Sequence, residues 1–219
     1  MDNTATKKRV KRTRNARINS FILEALKNEF VMEQMEALRT FDKYTFKHSI
    51  NVASESISIG MQFHLNDKQL LDLTYAALMH DIGKIEVGID IIGKQGKLTE
   101  DEIAAIKLHP ITGAKKVRES HLFSSDVVNA ILMHHENYDG TGYFGVSEYG
   151  ISLYAKIIRI ADTFDAMTDK RPYHEAKPED VVIDTMTSFS DFDPHIFGTF
   201  QELKVPSKGK NSLKILLDT

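Results

Sequence analysis

Cysteine and tryptophan are both absent from the 219 residues, and proline occurs only five times. Without thiols there are no disulfides and no thiolate ligands, so any metal site must be built from nitrogen and oxygen donors. Long apolar runs are missing too. None approaches the roughly 20 residues that span a bilayer, and no apolar stretch of the kind a secretory signal carries follows the basic N-terminus. A cytoplasmic location is therefore expected. Sustained apolar/polar alternation is also lacking, which argues against a sheet; only SLKILLDT at 212–219 reads as a short strand.

What is present suits one folded unit. The chain is 42% hydrophobic and 27% charged, as in globular proteins, and long enough to bury a sizeable core. Charge is unevenly placed. KKRVKRTRNAR (7–17) holds seven Lys or Arg and no acid; without residues 1–17 the 28 bases and 31 acids become 21 and 30, a net −9. Residues 1–17 read as a disordered basic arm able to touch an acidic partner or nucleic acid. A sequence-specific DNA reader would also need a recognition element, and none is evident. Residues 18–205 show no internal repeat and no dividing linker, so they read as one domain, with 206–219 as a C-terminal tail.

The periodicity is helical. Leu23, Leu26 and Phe30 predict a helix over 19–38, and further helices are expected over 43–64, 67–80 (behind Asn66 or Asp67), 125–135, 152–168, 178–189 and 194–203. The segment GKIEVGIDIIGKQGKL (83–98) has four glycines and reads as a loop. Thr99 and Glu102 fit a capping box that starts the next helix, which Pro110 interrupts or restarts. The expected class is all-α: one helical bundle.

Five of the nine histidines sit where apolar helical segments meet polar ones: His48 in KHSINVA, His80 in MHDIGK, His109 in LHPITGA, and His134–His135 in MHHE. Asp81 and Asp162 occupy similar junctions. His64, His121, His174 and His195 read as structural. The seven junction residues are spaced by about one helical hairpin each, and a bundle gathers such positions at one end of its core. Imidazole and carboxylate suit zinc, manganese or iron(II). Seven donors exceed the needs of one ion, whereas two ions sharing a carboxylate would use them all. Asp165 shares a helix face with Asp162.

Taken together, His48, HDIGK (80–84), HPITGA (109–114), HHENYDGTGY (134–143) and RIADTFDAMTDKRPY (159–173) resemble the HD superfamily of metal-dependent phosphohydrolases. More narrowly they resemble its HD-GYP branch, whose members hydrolyse cyclic di-GMP. The resemblance implies an HD-type helical domain with His48, His80, Asp81 and Asp162 at one metal. Asp81 would bridge to a second metal held by His109, His134 and His135. It also implies that Lys84 contacts substrate phosphate and that Asp165 and Arg171 line the substrate side; Tyr143 and Phe144 are placed to stack on a base. Asp81 and Lys84 are thus the expected catalytic residues. Two departures stand out. Gly142-Tyr143-Phe144 replaces Gly-Tyr-Pro, which is expected to loosen the loop and add bulk. Tyr44 stands where some members place a glutamate for a third metal, which argues for two.

The expected cofactors are two divalent transition-metal ions, iron or manganese first, with zinc, nickel or cobalt also compatible. Their charge would exceed that of the two aspartates and draw in a phosphodiester. The expected reaction is hydrolysis of cyclic di-GMP to the linear dinucleotide pGpG, and onward to GMP, by a metal-bound hydroxide. Two alternatives stay open: the same chemistry on another cyclic dinucleotide or a nucleotide, and a non-catalytic module that binds a cyclic dinucleotide. A homodimer is compatible with all three. No receiver or sensory domain is evident in the sequence.

Overall fold

The computed structural model describes residues 3–169 and 177–204, with side chains from residue 12 onward. Among these residues there are twelve α-helices, one short 3-10 turn and no strand, so the all-α reading holds. The strand expected at 212–219 lies outside the described residues. No helix among them is long and apolar enough to cross a membrane.

The first helix differs from expectation at both ends. α1 covers Asn3–Ala25 and therefore includes the basic stretch expected to be disordered. Its Lys, Arg and Ala are good helix formers, and Arg17 pairs with Asp67 at 2.9 Å while Ile18 is buried. The apolar spacing continues past residue 26, but the chain breaks there. Asn28 accepts a hydrogen bond from the Val31 N–H and starts α2, Glu29–Phe41. An N-cap overrides periodicity because it satisfies N–H groups that a helix start leaves open.

α3 (Lys43–Gln62) begins at Asp42, whose carboxylate accepts from the Tyr44 and Thr45 N–H groups. α4 (Asp67–Met79) begins with an Asn66–Gln69 capping box. Two four-residue helices, α5 (Lys84–Val87) and α6 (Ile89–Ile92), occupy the segment expected to be a loop; they are too short to show a helical period. α7 (Glu100–Ile106) starts at the expected Thr99–Glu102 capping box, and α8 (His109–Glu119) restarts the chain with Pro110 in its first turn. α9 (Ser125–Met133), α10 (Leu153–Thr168), α11 (Glu179–Met186) and α12 (Pro194–Lys204) follow.

α3, α4, α9 and α10 pack against one another around the main core. Val52, Ala53, Leu73, Ala77, Ile131, Ile157, Ile158 and Ala161 line it, all fully buried. At the Val, Leu and Ile positions among these, burial of the side chain contributes roughly 1.5–3 kcal/mol each. α3 and α4 run antiparallel, so the start of α3 lies beside the end of α4; the end of α9 and the second half of α10 meet them there. His64 and His121 follow α3 and α8 with φ of 53° and 56°. His195 packs its ring on Phe63. None of the three approaches the site below, and His174 lies outside the described residues.

Candidate metal centre

The end of a helix leaves its last four carbonyls without partners inside the helix. Three histidines use them. His80 donates its Nδ1–H to the Ala77 carbonyl at the end of α4 (2.8 Å), His109 to Ile106 at the end of α7 (2.7 Å) and His134 to Ile131 at the end of α9 (2.7 Å). A carbonyl only accepts, so each Nδ1 carries a proton and each ring turns its other lone-pair position, Nε2, inward. The same three-residue reach recurs at three helix ends, and all three rings are fully buried.

These lone pairs converge on Asp81. Its Oδ1 lies 3.2 Å from His109 Nε2 and 4.0 Å from His134 Nε2; its Oδ2 lies 3.4 Å from His80 Nε2 and 3.8 Å from His48 Nε2. His109 and His134 bring their Nε2 atoms within 3.2 Å of each other. These are nitrogen and oxygen atoms of the kind that ligate metals. His80 Nε2 and Asp81 Oδ1 are buried with no hydrogen-bond partner, at a cost of about 1–3 kcal/mol each if nothing else binds them. A divalent cation is the partner such a donor set fits. Among the described residues the donors form two groups: Asp81, His109, His134 and His135, and His48, His80 and Asp162, each with its donor atoms within 4.8 Å of one another. All seven residues singled out in the sequence are thus brought together.

The electrostatics divide the site. Burial opposes charge on His48, but Asp162, 3.0 Å from Nε2, and Asp165, hydrogen-bonded to Nδ1 at 2.6 Å, outweigh it and raise its pKa to about 9. Burial, reinforced by His135, His80 and His109, holds His134 well below the ordinary histidine value. His135 is lowered to about 3, chiefly by burial, although Asp162 opposes this. Burial pushes the Asp81 and Asp162 carboxyls upward. His80 and Lys84 outweigh it at Asp81, and His48 does so at Asp162, leaving both well below the usual carboxylate range.

Asp165 contacts His48 directly. It is buried, and its Oδ2 accepts from the His48 nitrogen that points away from Asp162, so it orients the ring. Arg171 lies outside the described residues. Lys84 sits one turn after Asp81 and pairs with Asp81 Oδ2 at 2.5 Å. A cavity of about 430 Å³ opens beside His48 and Lys84, walled by Tyr44, Ile89, Ile92, Leu98 and Ile106. Tyr44 stacks nearly parallel to His48, with ring centres 6.2 Å apart. Across the site Tyr143 lies against His135 at 4.6 Å, and the Phe144 ring is exposed.

The backbone fixes this geometry at close quarters. A Cβ on Gly83 would lie 2.0 Å from the His109 carbonyl oxygen, so the turn after Asp81 presses directly on the start of α8. One buried group escaped sequence reasoning. Glu136 accepts from the Phe144 N–H (2.8 Å) and the Val146 N–H (2.7 Å), so Phe144 donates a bond that proline could not. The loop is anchored there. The available signal was a carboxylate directly after two histidines and before a glycine-rich loop that must find partners for its N–H groups.

A family model described as an HD domain matches residues 25–196. The chain belongs to the HD-domain family. This HD domain is 35% identical over 185 residues to a cyclic di-GMP phosphodiesterase of Pseudomonas aeruginosa, covering 84% of this chain and 45% of that protein. It is 36% identical over 162 residues to a 3′3′-cGAMP-specific phosphodiesterase of Vibrio cholerae, covering 73% of this chain and 35% of that protein. The chain thus spans less than half the length of these curated relatives. An HDG"Y"P protein from Bdellovibrio bacteriovorus superposes with a TM-score of 0.62 at 21% identity, over 88% of this chain and 63% of that one, which speaks for the fold. A cyclic GMP-AMP-specific phosphodiesterase of Vibrio cholerae superposes at 0.51 with 30% identity, over 81% and 41%.

Proposed function

We propose that this HD domain is an HD-GYP-type phosphodiesterase that hydrolyses cyclic di-GMP to pGpG with two divalent cations. The observation that carries the reading is the division of one buried carboxylate: Asp81 turns one oxygen to His109 and His134 and the other to His80 and His48. His48, His80 and Asp162 would hold one ion, His109, His134 and His135 the other, and Asp81 would bridge them. Iron or manganese is the first choice, and the nitrogen and oxygen donors fit zinc, nickel or cobalt as well. Tyr44, a phenol stacked on His48, supplies no carboxylate for a third.

Two such ions would supply Lewis acidity toward a phosphoryl oxygen and bring the pKa of a water towards neutrality. The chain's own residues do the rest. Lys84 holds a compact positive charge at the mouth of the cavity, suited to a non-bridging phosphate oxygen. Asp165 keeps His48 Nε2 aimed at Asp162. The Ile89, Ile92, Leu98 and Ile106 walls and the Tyr44 face offer an apolar slot for a nucleobase, while Tyr143 and Phe144 form the opposite rim. Arg171, in the motif the sequence shares with the family, is assigned to the substrate side as well.

A second substrate is favoured by one observation, the exposed Phe144 ring where proline is usual, together with the likeness to cGAMP-specific enzymes. Elemental analysis and turnover on a single chelator-free preparation test the main reading, with cyclic di-GMP, 3′3′-cGAMP and cyclic di-AMP as substrates. Two metal equivalents and fastest turnover of cyclic di-GMP are expected. Faster turnover of a non-guanine substrate would reassign the specificity, and a protein free of transition metal that still binds cyclic di-GMP would be a sensor.

A further inference from the structure

The segment from Gly140 to Val146 carries the two aromatic rings at the rim of the site, yet it has no regular structure to hold it. Its position is set from below. Glu136, 2% exposed, lies directly after the His134–His135 pair and turns its carboxylate away from the histidines, toward the loop. Oε1 accepts the Phe144 N–H at 2.8 Å and Oε2 accepts the Val146 N–H at 2.7 Å. Hydrogen bonds from N–H groups to a carboxylate are among the stronger kinds. A second contact clamps the same stretch. A Cβ on Gly142 would lie 2.5 Å from Glu136 Cα and 2.7 Å from both the Asn137 nitrogen and the His135 carbonyl oxygen. The loop therefore lies directly on the main chain that carries His135.

The rings follow from this seating. Tyr143 packs on His135 with ring centres 4.6 Å apart and receives the Lys107 ammonium at 5.3 Å on its face. Phe144, at 41% exposure, turns its ring to solvent while its amide points inward to Glu136. Only a residue other than proline can do both.

We propose that Glu136 is a positioning residue for substrate affinity: through the Phe144 and Val146 amides it holds the 140–146 loop so that Phe144 offers a fixed stacking face to a base of the cyclic dinucleotide. The inference rests on the phosphodiesterase reading for the identity of that ligand, but the anchor itself does not. A loop already held in place loses less freedom when a base stacks on its ring, so the anchor acts on binding rather than on the chemical step.

The test uses the full chain and three variants, with amide hydrogen exchange, metal content and kinetics measured on each. In Glu136→Gln the side-chain amide sets a donor against one of the two N–H groups. Exchange at Phe144 and Val146 should quicken at least tenfold, and KM for cyclic di-GMP should rise about five- to tenfold with kcat within twofold and metal content unchanged. Phe144→Ala keeps the N–H and removes the ring; Val146 should stay protected while KM rises as much. Phe144→Pro removes both, and Val146 exchange should quicken. Exchange at Phe144 and Val146 as slow in Glu136→Gln as in the parent would overturn the anchor. A KM unmoved in both Glu136→Gln and Phe144→Ala would overturn the role in affinity, as would a loss of metal in Glu136→Gln with kcat falling alongside. If the parent turns over no cyclic dinucleotide, the exchange readings still decide the anchor, and calorimetric Kd for cyclic di-GMP replaces KM.

Discussion

Asp81 Oδ1 lies 3.2 Å from His109 Nε2, with both side chains fully buried. The His109 proton sits on Nδ1, committed to the Ile106 carbonyl, and the carboxyl is held ionised well below its usual range. A divalent cation between these two buried donor atoms would satisfy both, at a site where an unpartnered polar atom costs about 1–3 kcal/mol. Asp81→Asn removes half of that arrangement while keeping its volume. Metal content should fall below two per chain, and turnover should fall at least about 10²–10³-fold, the scale of losing one electrostatic stabiliser. Adding manganese to chelated parent protein should raise its Tm by several degrees, since a ligand at 100 times its Kd contributes about 2.7 kcal/mol. The variant should respond less. Equal metal content and equal Tm response would end the bridging assignment.

Lys84 tests the neighbouring role. Its ammonium pairs with Asp81 Oδ2 yet remains partly exposed to the cavity. Lys84→Gln keeps a polar side chain, one atom shorter, and removes the charge. Metal content should stay at two while turnover drops by about 10²-fold. Metal lost together with activity would make Lys84 a support of the ligand set instead.

Chelated protein should be most stable near pH 6.5. His48 has a folded pKa of about 9, above its ordinary 6.5, so its contribution is complete below 6.5 and is lost as pH rises through 9. His135, lowered to about 3 chiefly by burial, behaves oppositely. It stays neutral in the fold while the unfolded chain takes up a proton, so stability falls as pH drops below 6.5. His134 has the same sign, and the depressed carboxyls of Asp81 and Asp162 add to the loss on further acidification. Each titrating group changes stability by about 1.4 kcal/mol per pH unit inside its window. Denaturant melts in chelator from pH 5 to 9 should trace this maximum, and His48→Gln should remove only the alkaline decline. A flat profile above 6.5 would show that His48 is not charged between its two aspartates.

The parts legible in the sequence were those decided locally. The Asn66 and Thr99 caps act within three residues; Thr99 was found where the structure has it, and Asn66 was one of two candidates. His80, Asp81, His109, His134 and His135 stand where one helix ends or the next begins, a pattern that burial makes costly without a partner, whereas His48 and Asp162 lie inside α3 and α10. Distance effects were not legible. The apolar spacing through Leu23, Leu26 and Phe30 crosses the break before Asn28 without a sign of it, because a cap outweighs a period. Asp165 shares a face with Asp162, yet only the fold shows that it lies behind His48, 117 positions away in sequence. Glu136 likewise depends on a loop that doubles back eight and ten residues later.

Gly83 offers a way to unseat one half of the site alone. Its φ of −66° suits any residue, so alanine would bring no backbone strain. The added Cβ, however, would sit 2.0 Å from the His109 carbonyl oxygen, 2.5 Å from Thr112 Oγ1 and 2.8 Å from the Gly113 nitrogen. Two of these are main-chain atoms, which yield only if the start of α8 moves. Gly83→Ala should therefore cost about 1–3 kcal/mol or somewhat more by overpacking, seen as a Tm lower by several degrees. The shift carries His109 away from His134 and Asp81, whereas His48, His80 and Asp162 rest on α3, the end of α4 and α10. Elemental analysis should thus find about one metal per chain in place of two. Two metals with an unchanged Tm would show that the turn after Asp81 does not set the position of His109.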